Sequence, residues 1–202
     1  MPNIRQLLIA TSNPGKVFEL KEMLSDLPLR LLTLADLSSV TEIEENGRTF
    51  DENARLKARG YALQSGMIAL ADDSGLEIAA LDGRPGSLSA RYGGDVSFAQ
   101  KMTTLLAELD ETVDQGRVAR FVCSIAISGA GGEVLYTSEG VCTGKIAPHP
   151  RGCGGFGYDP IFIPDGFDQT FGQLPDTVKQ RISHRRRAFE QIIPFLGDFI
   201  VI

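Results

Sequence analysis

The sequence predicts an α/β fold built on a mixed sheet, and three stretches predict it. Leu7-Leu8-Ile9-Ala10 is a short apolar run that gives way to Thr11-Ser12-Asn13-Pro14-Gly15-Lys16. Val17, Leu20 and Leu24 then recur at helical spacing, so this is a strand, a polar turn and a helix. Met67-Ile68-Ala69-Leu70-Ala71 is a second small apolar run, again short enough for a buried strand. Val118 to Ser128 alternates in part and meets Val134-Tyr136 across Gly129-Ala130-Gly131-Gly132. That hairpin makes the sheet mixed, not purely parallel.

With 202 residues and 43% hydrophobic content, the chain suits one globular domain, or two lobes around one cleft. A net charge of −6 argues against general affinity for a nucleic-acid polymer, so any phosphate binding must come from local basic residues. Cys123, Cys142 and Cys153 are odd in number and show no CxxC spacing. They argue against a disulfide framework or zinc site, suit a reducing compartment, and read as small buried hydrophobes. Met1-Pro2-Asn3-Ile4-Arg5 opens no apolar signal segment, and no apolar run approaches membrane-spanning length. No membrane is expected as a partner, and the expected setting is cytoplasmic.

In chain order, Asn13 reads as the N-cap of the first helix and Pro14 as its first residue. Lys16 in the first turn opposes the helix dipole unless an anion sits between them. The free N–H groups and Lys16 together therefore read as a phosphate site. It is not a Walker A loop, because the leading glycine is missing and Val17 stands where Ser or Thr is needed. Leu29 to Leu34 is a second strand, and Glu42 to Gly47 an acidic turn. Thr49 and Glu52 form a capping box for a helix that ends near Gly66, on which Asn53 and Lys57 share a face.

The strand Met67–Ala71 is expected to end in Asp72-Asp73-Ser74-Gly75. Adjacent Asp side chains on a strand point to opposite faces. At least one must meet a cation, a donor or a metal, because a lone buried carboxylate is costly. Open α/β sheets place ligand sites at such strand ends, and an Asx-turn before Gly75 is the structural alternative. Asp82 to Gly86 is a tight loop, followed by Ser89-Ala90-Arg91-Tyr92. Asp95 or Ser97 caps a helix with Met102, Leu105, Leu106 and Leu109 on its apolar face, and Asp110 to Gly116 is a polar connection.

In Gly152-Cys153-Gly154-Gly155-Phe156-Gly157-Tyr158-Asp159-Pro160 the glycines permit close backbone approach. Phe156 and Tyr158 offer flat faces, and Asp159 an acceptor. Ile161-Phe162-Ile163 is a short buried strand. From Lys179 to Arg187 the chain is basic with no acid, and Ser183 reads as the N-cap of a last helix. His184 and Arg185 then fall in its first turn, where cations call for an anion or an electron-rich base.

An anion-binding helix start, a carboxylate cluster, an aromatic glycine loop and a basic turn together suit a nucleotide held with a divalent metal. The motifs carry a resemblance as well. Thr11 to Lys16, Glu52-Asn53-Ala54 with Lys57-Ala58, and Ala71-Asp72-Asp73-Ser74-Gly75-Leu76 come first in order. Pro85-Gly86 with Ser89-Ala90-Arg91-Tyr92, Phe156-Gly157-Tyr158-Asp159-Pro160, and Ser183-His184-Arg185 follow. The set resembles the inosine triphosphate pyrophosphatase family, the Ham1-like dITP/XTP pyrophosphatases, over nearly the whole chain.

The resemblance implies an elongated, two-lobed α/β fold with a long mixed twisted sheet flanked by helices and an active-site cleft between the lobes. Residues 1–202 would form one nucleotide pyrophosphatase domain. It also implies homodimers, Mg²⁺ dependence, and hydrolysis of ITP, dITP and XTP to the monophosphate and pyrophosphate. Matched by position, Thr11, Ser12, Asn13, Pro14, Gly15 and Lys16 would bind phosphate. Glu45 and Asp73 would hold metal, with Asp73 also accepting a proton from the attacking water. Lys57 and Asp72 would be catalytic members of the same cluster, and Ser74 would touch substrate. Phe156, Gly157, Tyr158, Asp159, Lys179, His184 and Arg185 would surround the base. A donor from Arg185, His184 or Lys179 to the 6-keto oxygen would set hypoxanthine and xanthine apart from adenine. Leu88 stands where the family often has an aromatic and is read as packing; Asn46 after Glu45 is a second departure. Three other functions stay open: a Maf-type pyrophosphatase acting on other bases, a nucleotide-binding module that does not cleave, and a γ-phosphatase.

Overall fold

The computed structural model describes residues 5–112 and 116–201. Its elements are β1 (Arg5–Ile9), α1 (Pro14–Leu24), β2 (Leu29–Thr33), α2 (Phe50–Ser65) and β3 (Ala69–Ile78). They continue with α3 (Phe98–Asp110), β4 (Val118–Ser128), β5 (Val134–Ile146), β6 (Phe162–Pro164), α4 (Asp176–Ile182) and α5 (His184–Val201). Six strands form one sheet in the order β2-β1-β3-β4-β5-β6. β1 runs parallel to both β2 and β3, whereas β5 and β6 are antiparallel, so the sheet is mixed as the sequence predicts. The turn between β4 and β5 is closed by Gly129 N–H to Glu133 O and Gly132 N–H to Gly129 O. Of the polar connection expected over 110–116, residues 113–115 lie outside the described residues.

Local chemistry accounts for the helix boundaries. Asn13 Oδ1 accepts from the N–H groups of Gly15 and Lys16, with Pro14 opening α1. Thr49 Oγ1 caps α2 through Glu52 N–H, but the Glu52 carboxylate reaches back to Arg48 N–H, one residue beyond a standard box. That helix stops at Gly66, whose φ of +66° closes it in the left-handed region. Ser97, not Asp95, caps α3, with Gln100 completing a reciprocal box. Ser183 is the single residue joining α4 to α5.

One boundary departs from expectation. β3 does not end at Ala71 but runs through Asp72, Asp73, Ser74 and Gly75 to Ile78. The two carboxylates are therefore mid-strand, and no Asx-turn forms. Leu76 and Ile78 continue the buried pattern, and each carboxylate finds partners on its own face, so nothing forces the chain to turn.

The chain divides into two compact units. The first comprises Met1–Asp73, Cys123–Gly140 and Arg185–Ile202, and the second Ser74–Val122 and Val141–His184. In the first, the alternation of β1 sends Leu7 and Ile9 to one face and Leu8 and Ala10 to the other. Leu7, Ile9, Leu70, Cys123 and Ile125 pack with Leu20 of α1 and Phe189, Ile192 and Leu196 of α5. Leu8, Ala10, Ala69, Ala71 and Ala126 pack with Ala54, Ala58, Tyr61 and Ala62 of α2, the small residues admitting the helix closely. In the second unit, Leu76 and Ile78 join Met102, Leu105 and Leu109 of α3, with Phe121, Phe162 and Phe171.

Cys123 and Cys142 are buried as expected, whereas Cys153 is exposed in the glycine-rich loop. Leu88, read as packing, is 54% exposed. Among the described residues no helix is long and apolar enough to cross a membrane. The glycine-rich loop depends on close backbone approach at Gly152, where φ is +78° and an added Cβ would lie 1.9 Å from Gly172 O. Gly152→Ala is expected to lower stability by roughly 1–3 kcal/mol, read as an earlier urea midpoint. An unshifted midpoint would mean the two segments part without cost.

Candidate active site

The adjacent acids of β3 do face opposite ways, and each collects its own partners within the first unit. Asp72 is completely buried, and its Oδ2 accepts from Lys16 Nζ at 3.1 Å and from Arg185 Nε and Nη2 at 3.2 Å each. The Cys123 thiol donates to the same oxygen at 3.8 Å. Arg185 Nη1 turns to Glu19 on α1. Burial alone would raise the Asp72 pKa, but Lys16 and Arg185 hold it well below the usual carboxylate range. The guanidinium is raised in turn by Asp72 and Glu19, against its own burial. Burial and then Asp72 push the Cys123 thiol up, so it is a protonated donor and not a nucleophile.

On the other face, Asp73 Oδ2 accepts from Asn53 Nδ2 at 3.0 Å. Lys57 Nζ lies 3.6 Å from Asp73 Oδ1 and 3.0 Å from Glu45 Oε1, so one ammonium bridges the strand to the acidic turn. Asn53 Oδ1 also accepts Gly47 N–H at 2.8 Å, which ties the Glu45 turn to α2. Burial raises the Asp73 pKa; Lys57 opposes this, and the Glu45 charge adds to it. Burial would lower the Lys57 pKa, but Asp73, Asp72 and Glu45 outweigh it and raise it. Asp73 is thus a strengthened base beside a permanent cation.

Among the described residues, no group of three or more His, Cys, Asp or Glu side chains is placed to hold a metal alone. Glu45 and Asp73 nevertheless converge on one cation, Lys57. Two carboxylates are a donor set that fits Mg²⁺, which takes its remaining oxygens from water and substrate phosphate.

Two expectations at the helix start change. The anion that Lys16 calls for is Asp72, supplied by the chain itself. The first-turn N–H groups are not open donors: Gly15 and Lys16 N–H go to Asn13 Oδ1, and Val17 N–H to Asn13 O. Thr11 Oγ1 accepts Asn13 N–H at 3.3 Å, and Ser12 is exposed beside it.

The second unit gathers a separate group. Asp159 is buried, and its Oδ2 accepts Phe156 N–H at 2.8 Å and Lys179 Nζ at 2.6 Å. The same ammonium lies 4.3 Å from the centre of the Phe156 ring. Ser74 follows Asp73 on β3 and is half-buried in this unit. Tyr158, expected to offer a flat face, has its ring buried and its hydroxyl donating to Ser89 O at 3.0 Å. His184, expected at the base, stacks on Phe121 at 4.8 Å. Arg185, also expected there, belongs to the first unit, where Asp72 and Glu19 take up its guanidinium. The guanidinium fork is thus engaged by two carboxylates of the same unit.

Sequence reasoning missed Glu19 and Cys123. Glu19 stands three residues after Lys16, so the two share a face of α1, and that spacing was the available signal. Nothing local marks Cys123, which meets Asp72 only through the pairing of strands.

A base-strengthened carboxylate, a second carboxylate and two lysines, on a mixed α/β sheet, are the equipment of a hydrolase that meets phosphate anions. The chain belongs to the Ham1 family, whose profile matches residues 7–195. It is 45% identical over 193 residues to a dITP/XTP pyrophosphatase of Geobacter sulfurreducens, covering 95% of this chain and 96% of that protein. A Bacillus subtilis dITP/XTP pyrophosphatase is 44% identical over 194 residues, covering 96% and 98%. The solved structure of a HAM1 protein from Coxiella burnetii superposes with a TM-score of 0.89 at 41% identity, covering 96% of this chain and all of that one.

Proposed function

We propose that this protein hydrolyses deaminated purine nucleoside triphosphates, dITP, ITP and XTP, to the monophosphate and pyrophosphate. What supports the reading is family membership over almost the whole chain together with the Asp73–Lys57–Glu45 constellation. Among the described residues, Glu19, Glu45, Asp72 and Asp73 pair with Lys16, Lys57 and Arg185 here. A triphosphate brought beside Asp73 and Glu45 would meet like charge, which the positive charge of a divalent cation would offset. Mg²⁺, held by Asp73 and Glu45, would supply that charge and polarise phosphate oxygens.

In this mechanism a water oxygen bonds to the α-phosphorus, Asp73 takes its proton, and the α–β anhydride bond breaks with its electron pair leaving on pyrophosphate. Lys16 and Lys57 stabilise charge on the phosphates, and Asp72 with Arg185 and Glu19 holds Lys16 in place. No nucleophilic side chain is needed, because phosphoryl transfer asks mainly for position and charge. The base is assigned to the second unit, with Phe156 as its stacking face and Lys179, fixed by Asp159, as donor to the 6-keto oxygen. Adenine would set donor against donor, a mismatch that discriminates by about 10⁴-fold where the group is buried. Homodimers and a cytoplasmic setting belong to the same proposal; Cys123 and Cys142 are buried thiols outside any disulfide, which suits a reducing compartment.

A panel of ITP, XTP, dITP, GTP and ATP with Mg²⁺, read by product identity, tests the reading. Monophosphate plus pyrophosphate from the first three is the expected result. Diphosphate plus phosphate, or equal rates on ATP, would overturn it.

A further inference from the structure

The second unit contains a tether that the proposed chemistry does not use. Ser89 is 5% exposed, and its Oγ accepts Leu76 N–H at 2.9 Å while donating to Gly86 O at 2.7 Å. Its own carbonyl accepts the Tyr158 hydroxyl at 3.0 Å. One serine therefore joins β3, two residues past Ser74, to the loop that carries Phe156. The Tyr158 ring is fixed edge-on by Phe98 at 5.5 Å, and the Ile161 N–H bonds back to Tyr158 O at 3.0 Å. Lys101, buried on α3, donates to Tyr92 O and Gly94 O and so anchors the far end of the Ser89 segment.

The loop 156–159 is thus held at two points. Asp159 grips Phe156 N–H and Lys179, the groups assigned to the base. Tyr158 grips Ser89 O through its hydroxyl. We infer that Ser89 and the Tyr158 hydroxyl are positioning residues for purine recognition, fixing the Phe156 ring and the Asp159–Lys179 pair at one height relative to β3. The inference rests on the proposed function and deepens it. A hydrogen bond of this kind contributes about 1 kcal/mol, which corresponds to roughly a fivefold change in an equilibrium. The effect is expected in base binding, because the tether's bonds run to Leu76, Gly86 and the loop that carries Phe156.

Tyr158→Phe removes only the hydroxyl and keeps the ring against Phe98. It is expected to raise KM for ITP about three- to tenfold, with a smaller change in kcat. The preference for ITP over ATP falls alongside, and inhibition by inorganic tripolyphosphate, which has no base, keeps its constant. Ser89→Ala is expected to do the same more strongly, since it also leaves Leu76 N–H without its acceptor; thermal unfolding identifies any loss of fold in that variant. An unchanged KM for ITP in folded Tyr158→Phe would overturn the inference, as would equal weakening of ITP and tripolyphosphate. Wild-type protein that leaves ITP intact would instead overturn the proposed function, and this inference with it.

Discussion

Asp73→Asn is expected to lower kcat for ITP by about 10²–10⁴-fold, the range that a positioned general base supplies. The substitution is isosteric, and the amide oxygen still accepts from Asn53 Nδ2, so the fold of β3 and α2 is kept. What the amide loses is the capacity to take a proton, together with the negative charge that faces Lys57. Weaker dependence on Mg²⁺ concentration follows if that charge also holds the metal. Steady-state turnover and calorimetric binding of ITP to the variant check both parts. A variant that keeps wild-type turnover would remove Asp73 from the chemistry.

Arg185→Ala is expected to destabilise the protein by about 3–5 kcal/mol, the cost of breaking a buried ion pair from one side. The guanidinium bonds to Asp72 Oδ2 through Nε and Nη2 and to Glu19 through Nη1, and Asp72 is fully buried. Turnover should fall as well, because Lys16 is held by the same carboxylate oxygen. The ratio of kcat/KM for ITP over ATP should stay within about twofold, an amount worth well under 1 kcal/mol. Arg185→Lys recovers charge but not the fork, and so only part of the stability. Urea unfolding and the two substrates separate the outcomes. Unchanged stability with a narrowed ITP/ATP ratio would put Arg185 at the base, as the family resemblance implies.

Those two residues also show how far a sequence carries. The acids were legible because Asp72 and Asp73 interrupt an apolar run, and a strand's alternation fixes that they face apart. Their place along the strand was not, because Leu76 and Ile78 continue the sheet by long-range packing that no local signal announces. Lys16 at a helix start calls for an anion. That the anion is Asp72, some fifty residues on in the sequence, depends on the parallel pairing of β1 with β3. The capped N–H groups of α1 followed from Asn13 itself, whose side chain serves as an N-cap and therefore uses the donors credited to phosphate. In the glycine loop, composition gave an aromatic pair, yet only the fold separates Phe156, set on Lys179, from Tyr158, turned inward to Ser89.

Hydrolysis of ITP in ¹⁸O-water with Mg²⁺, read by mass spectrometry of the products, tests the central claim most directly. Attack of water on the α-phosphorus, with Asp73 as proton acceptor, places the label in IMP and leaves pyrophosphate unlabelled. Label in pyrophosphate, or in inorganic phosphate beside IDP, would show that the acids of β3 serve a different bond.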